Sequence, residues 1–75
     1  MYFLKIAGLG FIHKSWQDAE PRFCRQPTKA KSWTTLNGAL DFGNQKLTPQ
    51  IKLPWEVWQT VEGKLLPLIR PQGSR

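Results

Sequence analysis

Apolar residues in the first sixteen positions recur at every second residue. Tyr2, Leu4 and Ile6 fall on one face of an extended segment, and Ile12 and Trp16 on one face of the next. Between them, Gly8-Leu9-Gly10 supplies residues that tolerate the positive φ of a tight turn. The pattern predicts a β-hairpin that ends at Asp18-Ala19-Glu20-Pro21, because proline cannot donate to a ladder. Arg22-Phe23-Cys24-Arg25, bounded by Pro21 and Pro27, reads as a third short strand. The stretch from Thr28 to Trp33 is polar and basic, and is expected to be exposed except at Trp33.

The spacing changes at Leu36. Leu36, Ala39, Leu40 and Gly43 share a face at helical period, with Thr34 or Thr35 placed to cap the first turn. Gly43-Asn44 reads as the stop, since both residues accept the left-handed cap conformation. Gly38 weakens this helix by up to ~1 kcal/mol relative to Ala, so it must be laid on a sheet to persist.

The last third supports two readings. As strands, Trp55, Val57 and Val61 share a face, Glu62-Gly63 turns the chain, and Lys64 to Ile69 returns along an edge that tolerates Pro67. As a helix, Pro54 would occupy the first position, with Trp55, Trp58, Val61 and Leu65 forming a stripe. Enrichment in β-branched and aromatic residues favours strands. The fold class expected is therefore α+β, a small antiparallel sheet of four to five short strands with one helix packed on one face. One domain spans 1–70, and 71–75 forms a frayed tail.

Composition narrows the function. The 75 residues allow one domain with a thin core, and 40% apolar content with nine aromatics argues against disorder throughout. Cys24 is the sole cysteine, so no internal disulfide forms, and a reducing compartment fits best. The apolar start lacks a basic leader and a cleavage site, and no run is long enough to span a bilayer, so a cytoplasmic protein is expected. The net charge is +6, and Arg22, Arg25, Lys29, Lys31, Lys46 and Lys52 face only Asp41 across the middle of the chain. That asymmetry favours an anionic partner, a nucleic acid or an acidic protein surface; the competing reading is a solvated face that keeps the protein soluble.

Catalytic chemistry has little material. Gly8-Leu9-Gly10 lacks the third glycine of a dinucleotide fingerprint and is explained by a turn. A nucleophilic pair of Cys24 and His13 would need hydrogen-bond reach, an orienting third group and a pocket. One Cys and one His cannot supply a tetrahedral metal set, and no cofactor is expected. The basic segment carries the more suggestive chemistry: its cations can neutralise anions while Phe23 and Trp33 alternate with them. For Trp33 a place in the core is favoured over an exposed one. Trp55 and Trp58 cannot share a strand face, so one of them lies on the outer face, either covered or serving as a binding hot spot.

The stretch Ala30-Lys31-Ser32-Trp33-Thr34-Thr35-Leu36-Asn37-Gly38-Ala39 resembles a pattern found in small bacteriophage proteins, in which a hairpin leads through a basic, aromatic step into a helix. Ala30, Lys31, Trp33 and Thr35 carry the likeness; the two glycines and the Trp-rich ending depart from it. The resemblance implies a phage or mobile-element accessory protein that disables a host factor, anti-CRISPR proteins being one such group. The functional expectation is a non-catalytic binding module, acting on a host protein or ribonucleoprotein. Its contacts would come from Arg22, Arg25, Lys29, Lys31, Lys46 and Lys52 together with Trp33 and Trp58. The alternative is a small basic protein that binds nucleic acid directly.

Overall fold

The computed structural model describes residues 1–51 and 53–72, the last four by backbone alone. Five antiparallel strands form one sheet: β1 (Tyr2–Ile6), β2 (Gly10–Ile12), β3 (Phe23–Cys24), β4 (Trp55–Val61) and β5 (Lys64–Gln72), in the order β3-β2-β1-β4-β5. One helix crosses a face of it, so the fold is α+β as the pattern predicts. The last third is therefore two strands. β5 continues to Gln72, two residues into the segment expected to fray, while 73–75 and Lys52 lie outside the described residues.

Alternation explains the core. Leu4 and Ile6 of β1, Ile12 of β2, and Trp55 and Val57 of β4 point to the helix side and are buried. Ala39 and Leu47 of the helix close over them. Trp16, Phe23, Trp33 and Phe42 ring this core with edge contacts, for example 5.8 Å between Trp16 and Phe23 and 5.7 Å between Trp16 and Phe42. Such tilted pairs add to the area they bury.

The helix departs from expectation in length. α1 (Leu36–Phe42) starts at Thr35, whose hydroxyl accepts the Gly38 N–H at 3.1 Å, one of the two caps foreseen. It does not stop at Gly43. That residue is right-handed, with φ −59°, and the chain continues through a π-helical turn (Gly43–Leu47) into a last turn, Thr48–Gln50. Gly43 is glycine because of packing, not capping: a Cβ there would lie inside the Trp55 ring. Pro49 gives a reason for the wide turn, since its ring crowds the carbonyl four residues back and it donates no hydrogen bond.

Two further corrections concern the strands. β2 is three residues long rather than reaching Trp16, and the chain turns at once, with the Trp16 N–H bonded to the His13 carbonyl. Val61, set by alternation on the face of Trp55 and Val57, is 43% exposed, and Leu66 (48%) and Leu68 (43%) are exposed with it towards the far end of the β4–β5 hairpin. The core residues of the helix and sheet lie away from this end. Pro67 pairs with Trp58 in a ladder closed by the two-residue turn Glu62-Gly63. Counting from Val61–Lys64 makes Trp58–Pro67 a non-hydrogen-bonded pair, so the proline nitrogen faces the free edge. No helix among the described residues is long and apolar enough to cross a membrane.

Candidate anion-binding surface

The basic segment is stitched into the sheet. Where β1 and β2 diverge, the chain from Lys29 to Trp33 enters the gap between them. On the β2 side, Lys31 N–H donates to the Ile12 carbonyl at 2.7 Å and Lys14 N–H donates to the Lys29 carbonyl at 3.1 Å. On the β1 side, Tyr2 and Trp33 exchange two backbone bonds of 2.8 and 2.9 Å. His13 N–H reaches the Arg22 carbonyl at 3.0 Å, so His13-Lys14 runs between the backbones of Arg22 and Lys29. This corrects the picture of an exposed loop. Lys14, Lys29 and Lys31 are carried on fixed backbone at one end of the sheet.

The seven candidate residues that are described divide among several places. Arg22 is exposed and bonds Glu20 at 2.8 Å, and Lys46 bonds Asp18 at 2.7 Å. Surface pairs of this kind contribute little to stability, but they occupy the charge. The Lys46 hydrogen bond, helped by its charge and by the nearby Trp16 indole, holds the Asp18 carboxyl below its usual range. The Trp16 N–H draws near that carboxylate without meeting hydrogen-bond geometry and has no partner among the described residues. Trp33 packs on Phe42 at 5.0 Å and has the Lys31 ammonium 5.8 Å from its ring centre, so it serves the core. Lys29 closes a short 3-10 turn, Pro27–Lys29, and is exposed.

Arg25, just past β3, lines a cleft with Lys5 and Phe11, and Trp58 belongs to the opposite face of the sheet. There Phe3, 8% exposed, and Phe11, 5% exposed, meet at 6.3 Å, and Phe11 meets Trp58 at 6.0 Å. The Lys5 ammonium lies 4.9 Å from the Trp58 ring centre and 5.5 Å from that of Phe11. Glu56, cross-strand from Lys5, uses its carboxylate on the Trp58 indole N–H at 3.1 Å. Trp58 is half-buried and Trp55 is the buried member of the pair.

Lys5 and Lys14 were missed by the sequence reading. Period-two alternation sets Lys5 opposite Leu4 and Ile6, on the face of Phe3. Lys14 carried no such signal, because its proximity to Lys29 arises from a backbone bond fifteen residues along the chain.

The thiol and imidazole are occupied separately. Cys24 Sγ donates to the Gln26 carbonyl at 3.4 Å, and burial pushes the thiol pKa up, against smaller opposing effects of that bond and of Lys29. His13 Nδ1 lies 2.7 Å from Ser15 Oγ and accepts the Ser15 N–H at 3.0 Å. Among the described residues, no group of three His, Cys, Asp or Glu is placed to hold a metal ion. No known protein family, curated protein or solved structure matches the chain.

Proposed function

We propose that the chain is a non-catalytic binding module that docks on an acidic surface of a protein partner through the cationic end formed by Lys14, Lys29 and Lys31. The observation that carries this reading is the pair of backbone bonds, Lys31 to Ile12 and Lys14 to Lys29, that fixes three lysines at one end of the sheet. None of the three is ion-paired among the described residues. Cations on fixed backbone lose less entropy on binding than cations on a loop, and a concentrated positive end steers encounter with an acidic surface. The resemblance to small bacteriophage proteins adds a context, in which the module occludes a host factor such as a ribonucleoprotein defence complex.

Direct nucleic-acid binding is the second reading, since the same lysines would neutralise phosphates. The aromatic arrangement favours protein over bases: Trp33 packs on Phe42, and Lys5 sits over Trp58, which leaves little free ring face for stacking. Capture from host lysate, with and without nuclease, distinguishes the two. The expected result is a partner retained after nuclease treatment and lost on K14E/K29E/K31E with unchanged circular dichroism. Capture abolished by nuclease, together with a low-salt gel shift, would transfer the function to nucleic acid. Capture indifferent to the triple reversal would remove the cationic end from the mechanism.

A further inference from the structure

The β1–β2 turn and the start of the β3 exit enclose an open cleft of about 310 Å³, separate from the lysines of the proposed docking end. Its lining contains two cations, Lys5 and Arg25, and no acid; the remainder is Ile6, Phe11 and the turn Gly8-Leu9-Gly10. Glycine at position 10 makes this possible. A Cβ there would stand 2.5 Å from the Cys24 carbonyl oxygen, and Gly10 also holds φ +101°, so β3 can lie close enough to bring Arg25 to the cleft.

Neither cation has an ion-pair partner among the described residues. Lys5 is half-buried, and Glu56, the acid opposite it across the strands, is engaged by the Trp58 indole. The two aromatic rings hold the ammonium in place through their negative faces. The Gly8 N–H, on the cleft lining, also has no partner among the described residues. Arg25 is exposed and Lys5 half-buried, and an oxyanion seated beside them would meet two positive charges that no acid of the lining neutralises. Arg25 adds a planar fork suited to two parallel bonds with one oxyanion.

We propose that this cleft is a socket for a carboxylate side chain, Glu or Asp, presented by an acidic segment of a protein partner. This rests on the proposed docking to an acidic protein in naming the source of the carboxylate, but it uses different residues. The lining favours a peptide over a nucleotide. Leu9, 40% exposed, offers an aliphatic contact at the mouth, whereas Phe11 is only 5% exposed and Lys5 covers the rings a base would stack on.

The test is titration of the isotope-labelled chain with a blocked hexaglutamate peptide, and separately with inorganic phosphate and an eight-residue oligothymidylate, followed by amide and indole NMR. Hexaglutamate should shift the Gly8 and Gly10 amides and the Trp58 indole N–H saturably, because the anion draws Lys5 from the ring. R25Q should weaken that binding by about tenfold or more, since it removes a charge-assisted pair of hydrogen bonds. Arg25 is exposed, so this variant is not expected to disturb folding. L9E should block the cleft with its own carboxylate, and K14Q/K29Q should leave the cleft shifts in place. Shifts confined to the Lys14 and Lys29 region would overturn the socket while sparing the docking end. Cleft shifts with oligothymidylate or phosphate but not hexaglutamate, no shifts at all, or parental binding by R25Q would each overturn it too.

Discussion

Gly43 has no room for a methyl group. The Trp55 ring occupies the space a Cβ would take, and Trp55 is the largest fully buried side chain in the core. G43A should therefore destabilise the chain by about 1–3 kcal/mol through overpacking, despite alanine's better helix propensity, as denaturant unfolding would measure. On a domain with only about 5 kcal/mol to lose, that is a large fraction. A second residue-scale expectation concerns Asp18. Its carboxyl is held low chiefly by the Lys46 hydrogen bond, so K46M should return it upward towards the ordinary carboxylate value in an NMR titration. The sign follows: a depressed acid favours the folded state above its unfolded pKa, and that contribution is lost as pH falls through the folded pKa. Cys24 moves the other way. Burial raises its thiol, so iodoacetamide should label the folded chain more slowly at neutral pH than the unfolded chain.

Elements are decided by what lies next to them. The stretch Lys29–Trp33 has the composition of a loop, yet its backbone bonds tie β1 to β2. Hydrogen exchange should find the amides of Tyr2, Lys31 and Trp33 protected together with those of the central strands; exchange at loop rates would contradict the stitching. The β4–β5 hairpin makes its own demand. Glu62 and Gly63 both have positive φ, 51° and 78°, the requirement of a type I′ turn, and glutamate adopts the left-handed region reluctantly. E62N should raise stability by about 0.5–1 kcal/mol in the same unfolding assay.

At the scale of the whole molecule, the sheet presents four unlike surfaces. One face carries the helix and the core. The opposite face has an aromatic group capped by Lys5, and one end gathers lysines on fixed backbone. The far end of the β4–β5 hairpin leaves Val61, Leu66 and Leu68 exposed. Because Lys14, Lys29 and Lys31 are fixed at one end, association with the proposed acidic partner should slow with added salt, and dissociation should change less; stopped-flow rates at two ionic strengths would check this.

Local periodicity was sufficient for much of the architecture. Alternation at Tyr2, Leu4 and Ile6, the cap at Thr35, and β-branched and aromatic enrichment from Trp55 onward each depend on neighbours a few residues away, so they are legible along the chain. The cationic character of the middle was legible for the same reason, as a count of side chains. Where those charges stand was decided elsewhere. Gly43 became a packing site because Trp55, twelve positions later, needed its space, and the basic segment became part of the sheet because β1 and β2 diverge and leave unpaired carbonyls. Contacts between distant segments set both outcomes, and no local spacing records which segments will meet.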